Sequence, residues 1–229
     1  MRATDLVRWH RAVNEIRYKH NELELLKELA DDYGPVFREH VRKYCEDNRI
    51  DIEGLQARSN LSTTTEKNQE GDGDKNLLED SETALESAGE HFVGEEPMVE
   101  PIKAESKDVD EMHEIFKKLF KKLAVHLHPD KVENLTDSEK LDRLEMFKEA
   151  KQALDEERYF FLLDLSERFK IRLPRNYKQQ TRWMKNKVDH LSQEIKSQQS
   201  TYNFCYAECE TEEERVKLII MFLKQLYEI

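Results

Sequence analysis

Apolar positions return every three or four residues over most of this chain, with one long interruption. Near the N-terminus Leu6, Trp9, Val13, Ile16 and Leu23 hold one face of a helix, and Leu26, Leu29 and Ala30 continue close to it. Tyr33-Gly34-Pro35 predicts an end to that helix, because Gly suits the close of one helix and Pro the first position of the next. Val36, Phe37, Val41, Tyr44 and Cys45 then predict a short second helix. Residues 1–50 therefore read as an N-terminal helical hairpin. Its apolar seam is too small to stand without a partner or the rest of the chain.

The period is lost over residues 51–107. Ser59-Asn60-Leu61-Ser62-Thr63-Thr64-Thr65 and Glu70-Gly71-Asp72-Gly73-Asp74 offer almost nothing to bury. Ordering costs roughly 1–2 kcal/mol per residue, and few apolar groups stand against it. A disordered acidic linker is the expectation.

Helical spacing resumes at about Val109 and runs to Leu127, where Pro129 forces a stop. Thr136 followed by Glu139 predicts a capping box and a new helix start. Leu141, Leu144, Phe147, Ala150, Leu154, Phe161, Leu165 and Phe169 carry that helix to about Lys170. At ~1.5 Å per residue it would be about 50 Å long. Residues 108–172 thus form a helical hairpin with a long final helix, and Leu173-Pro174 ends it. Residues 173–229 read as a C-terminal helical arm. Met184, Val188, Leu191, Ile195, Gln198, Tyr202, Cys205 and Cys209 alternate spacings of four and three, the mark of a coiled-coil seam from about Tyr177 to Cys209. Thr211 and Glu214 form a second capping box, opening a helix that folds back as an antiparallel partner. The seam leaves open pairing within the chain or between two copies, a homodimer through the C-terminal helices. The fold class is all-α.

Composition agrees: 38% of residues are charged and only 38% hydrophobic, with 6 Gly and 5 Pro. The net charge of -12 is uneven. Residues 1–50 sum to zero, 51–112 to -13 and 113–229 to +1. The acidity belongs to the linker and argues against that segment wrapping nucleic acid. Three cysteines, Cys45, Cys205 and Cys209, make no disulfide framework and point to a reducing cytoplasm. No apolar run approaches a membrane span. Residues 1–10 lack the apolar core of a signal peptide. A protein of the cytoplasm is expected.

One constellation carries chemistry. Lys117, Lys118, Lys121 and Lys122 share one helix face, while Phe116, Leu119, Phe120, Leu123 and Leu127 lie on the other. The helix runs straight into His128-Pro129-Asp130-Lys131. Pro129 stiffens this tip, and Asp130 is held out in it. A rigid tip with one acid and one imidazole suits docking, and no catalytic residue is assigned.

This arrangement resembles the J-domain of DnaJ-type co-chaperones. Phe116 to Lys131 is similar to that family's second helix and the start of its loop, and Phe147 to Leu154 to its third helix. The resemblance implies a partner, a DnaK-type chaperone ATPase of the heat-shock class. It implies docking by Lys117, Lys118, Lys121, Lys122 and Lys131, and stimulation of ATP hydrolysis by His128, Pro129 and Asp130. Lys148 and Lys151 are secondary docking candidates. A client or adaptor of unknown identity would be held by the N-terminal helices, and no cofactor is implied. The sequence departs from the family in several places. Its first helix is not evident before Val109, Phe120 and Leu154 stand where tyrosines are common, and no Gly/Phe-rich or zinc-binding Cys-x-x-Cys region follows.

Other residues admit other chemistry. His126-x-His128-x-Asp130 copies part of a metallo-hydrolase string, but Lys131 stands where that string has its final histidine. Arg172, Arg175, Lys178, Arg182, Lys185 and Lys187 form a moderately basic cluster that could meet nucleic acid. Cys205 and Cys209 read as small apolar residues before they read as a redox or metal pair. The main alternative is a helical interaction scaffold with a J-shaped hairpin and no co-chaperone activity.

Overall fold

Buried side chains run from Trp9 through Ala12, Val13 and Ile16 to Leu23, and again from Phe37 through Val41 to Cys45. The chain forms a single helix there, α1 (Ala3–Asp47), with Pro35 in its interior. This corrects the expected N-terminal hairpin. Gly34 lies on the buried face of α1, where the side chain of Asn203 fills the space beside it. Pro35 is exposed, so its ring meets solvent and only one backbone bond is forgone. The stripe's burial on both sides outweighs that local loss. The computed structural model describes residues 3–51, 54, 88–94, 106–128 and 135–227.

Among these residues the fold is all-α, and they group into two compact units. One comprises Met1–Asn21 with Glu100–Ser192, the other Glu22–Val99 with Gln193–Ile229. Each unit holds part of α1, so spatial units cut across the four blocks read along the sequence. Among the described residues no helix is long and apolar enough to cross a membrane.

The first unit is built on α2 (Ser106–Leu127), α3 (Asp137–Asp155), α4 (Tyr159–Arg168) and most of α5 (Tyr177–Gln199). The expected 50 Å helix is two helices. The break falls at Glu156-Glu157-Arg158, with Glu157 at φ 59°. The Arg158 amide donates to the Ala153 carbonyl (2.8 Å) and the Glu157 amide to Leu154 (3.3 Å), the Schellman pattern. Two other helix ends repeat it with Arg49 (φ 56°) and Lys170 (φ 54°) in the left-handed position. There Ile50 donates to Cys45, and Ile171 to Ser166 (2.8 and 2.7 Å).

Ring contacts give the directions. Phe120 meets Phe147 at 5.7 Å and Phe116 stacks on Tyr159 at 4.2 Å, so α3 runs against α2. His126 meets Phe169 at 6.2 Å, so α4 turns back and runs with α2. The guanidinium of Arg143 over the Phe169 ring (4.3 Å) closes the α3–α4 pair. Met112, Phe116, Leu119, Leu123, Leu127, Ala150, Ala153 and Leu162 form the centre of this bundle. Full burial of each large side chain contributes about 1.5–3 kcal/mol. Leu141, expected on the seam, is 58% exposed. Trp9 of α1 donates its indole N–H to Gln180 Oε1 of α5 (2.7 Å), and Arg17 pairs with Asp164 of α4 (2.5 Å).

In the second unit Phe37, Val41 and Cys45 pack with α6 (Tyr202–Glu208) and α7 (Glu212–Tyr227). Phe37 stacks on Tyr202 at 5.9 Å and meets Phe222 edge-on at 5.2 Å. The coiled-coil expectation for 177–209 is corrected. Helix α5 stops at Gln199, and Thr201 caps α6 by accepting from the Phe204 amide (3.4 Å). A heptad seam needs one unbroken helix, and here the short α6 is the element packed against α7. Both capping boxes are present. Glu139 and Glu214 accept from the amides of Thr136 (2.9 Å) and Thr211 (3.1 Å), and their own amides donate to the threonine hydroxyls (3.4 and 3.3 Å).

Part of the segment read as disordered has a place. A short 3₁₀ turn, Ala88–Glu90, leads to an isolated antiparallel bridge between Phe92 and Thr201. Backbone bonds hold this strap where apolar periodicity is missing. The rest of the acidic run, apart from Asp51, Gly54 and the start of α2, lies outside the described residues.

Candidate protein-docking site

The spacing of α2 places its lysines and its apolar residues on opposite faces, as expected. Lys117, Lys118, Lys121 and Lys122 are all exposed. Met112, Phe116, Leu123 and Leu127 are fully buried behind them, and Phe120 is half-buried. Lys117 pairs with Glu114 one turn back (3.1 Å). The Lys117 hydrogen bond and charge hold the Glu114 carboxyl below the usual carboxylate range. Both groups are exposed, so the pair adds little stability. Lys148 and Lys151 of α3 are exposed as well.

The backing is aromatic and rigid. Phe116 and Tyr159 lie parallel (interplanar angle 4°), and Trp183 covers Tyr159 at 4.9 Å. The Tyr159 hydroxyl lies 3.2 Å from His113 Nδ1.

Helix α2 ends at Leu127, and the His128 amide still donates to Ala124 O (2.9 Å). The His128 ring stands edge-on to Phe147 at 5.5 Å, which ties the base of the tip to α3. Pro129, Asp130 and Lys131 lie outside the described residues. The chain is picked up again at Leu135, and the Thr136 cap opens α3. Of the expected docking residues, the structure thus describes the four helix lysines, which share an exposed face, and His128, the first tip residue, which lies against Phe147.

Chemically, this is a cationic ridge on an aromatic support, with the charge to attract an acidic group. His126 stacks on Phe169 and His128 stands edge-on to Phe147, so the two imidazoles of the metallo-hydrolase string do not converge. In the basic cluster on α5, Lys187 is taken by Glu157 (3.0 Å). Lys178, Arg182 and Lys185 line an open hollow of about 350 Å³ with Arg8, Thr181 and Asp5. Burial pushes the thiols of Cys45, Cys205 and Cys209 up, which keeps them protonated and poorly nucleophilic.

Gln225 and Asn203, which grip the 88–94 strap, were not singled out by the sequence reading. The one trace was the apolar pair Phe92-Val93 between Gly89 and Gly94 in an otherwise acidic run. Compared with family models, curated proteins and solved structures, the chain finds no match.

Proposed function

We propose that this chain is a J-domain-like co-chaperone that docks on a DnaK-type chaperone ATPase in the cytoplasm and favours its hydrolysis-competent state. The lysines of α2 make the electrostatic contact, and His128, Pro129, Asp130 and Lys131 extend it. The tip acts by binding one nucleotide state of the partner more tightly than the other, since only differential affinity can shift that equilibrium. The chain contributes no catalytic group. An unidentified client is held elsewhere, with α1 as the proposed contact. The observation that supports this reading is an exposed lysine face on a buttressed helix that stops one residue before the His-Pro-Asp tip.

The test is steady-state ATP hydrolysis by a DnaK-type chaperone with and without the full chain. Stimulation is expected, and it should be lost in His128→Gln and in Asp130→Asn while the helical circular dichroism is unchanged. No stimulation by the intact chain would leave the scaffold reading, in which the same face binds a partner without acting on its ATPase.

A further inference from the structure

Within the second unit, the segment Ala88–Gly94 is held in the manner of a bound peptide. The Tyr202 amide donates to the His91 carbonyl (3.0 Å), and the Val93 amide donates to Ser200 (2.8 Å). This is strand addition to an edge made by residues 200–202. The Gln225 carboxamide continues the recognition. Its Nε2 donates to the carbonyls of Phe92 (3.0 Å) and Gly94 (2.9 Å), and its Oε1 accepts from the Gly94 amide (3.2 Å). The Tyr202 hydroxyl donates to the same Oε1 (2.7 Å), fixing the carboxamide from behind. A side-chain amide that both donates to and accepts from a backbone reads the main chain without reading its side chains.

Selectivity enters at two points. A Cβ on Gly89 would stand 1.6 Å from Asn203 Oδ1. Asn203 is 6% exposed and lies between Gly89 and Gly34 of α1, so a side chain at residue 89 would displace it. Glycine is the one residue that fits there with Asn203 in place. Four residues on, Val93 packs against the Phe37–Phe222 cluster. Asn203 Oδ1 is buried and, among the described residues, accepts no hydrogen bond. The chain's own segment thus leaves one acceptor of the groove unused.

We propose that this groove is a peptide-docking site, filled here by the chain's own 88–94 segment and open to exchange with a segment of another polypeptide that adopts the same turn followed by a strand bridge. The incoming segment carries glycine opposite Asn203 and an aliphatic residue four positions later, and it donates a hydrogen bond to Asn203 Oδ1. The proposal does not depend on the co-chaperone reading.

The experiment uses the full chain and an acetylated, amidated peptide of residues 88–94, followed by NMR on the Gln225 side-chain amide. Gly89→Val expels the strap and empties the groove. The peptide is expected to bind this variant at least tenfold more tightly than the unmodified chain, whose own segment competes at high effective concentration. Val93→Asp, which releases the strap at a different contact, should behave the same way. Adding Gln225→Ala should abolish binding in both. Equal affinity for unmodified and variant chains would overturn the proposal, as would no binding to either variant. A dimer lost on Gly89→Val would also overturn it, because the segment would then be exchanged between copies.

Discussion

Tyr159 shows how one residue serves both the bundle core and the backing of α2. Its ring lies between Phe116 and Trp183, and it is 1% exposed. Burial, with a smaller push from the Glu157 charge, raises its phenol well above the ordinary 10.0. The folded chain keeps a proton that the unfolded chain releases above about pH 10. Stability from this group is therefore intact below that pH and falls as pH rises further. Tyr159→Phe should flatten this alkaline loss, measured by denaturant unfolding at pH 9 and 11; an unchanged pH slope would contradict it. Tyr202 and Tyr206, whose phenols burial also raises, would keep part of the slope in the variant.

The helices were legible where side chains alone define them, and their ends were not. The amphipathic pattern of α2 and the boxes at Thr136 and Thr211 are local, so their residues suffice to predict them. The ends at Arg49, Glu157 and Lys170 carry a charged residue where Gly is usual, and backbone bonds to Cys45, Ala153 and Ser166 stabilise a conformation that composition does not announce. At Gly34-Pro35 the reverse holds, since a strong local stop is overridden by burial on both sides. Pro35→Ala restores an amide donor inside α1 and should stabilise the protein by about 2 kcal/mol in chemical denaturation. Were Pro35 the first residue of a second helix, the same substitution would be neutral or destabilising.

Charge and burial act on different properties of the assembled molecule. The exposed lysines of α2 carry little of its stability, so Lys118→Glu with Lys121→Glu should change unfolding by less than about 1 kcal/mol. The same pair of reversals should abolish binding to a DnaK-type chaperone in a pull-down or calorimetric titration. Binding by the unmodified chain should weaken steadily from low to high salt. Binding that ignores both salt and charge reversal would remove the cationic ridge from the interface.

Periodicity and capping chemistry were enough to establish an all-α chain, the two faces of α2 and its stop at Leu127, because each depends on residues within one or two turns. The unbroken α1, the reversal between α3 and α4 and the strap beneath Gln225 depend on partners far away in the chain. Asn203 beside Gly34 and Gly89, and Phe169 beneath Arg143, become neighbours only when the helices pack. Burial of those contacts outweighs local propensity, and no window of sequence contains both sides of them.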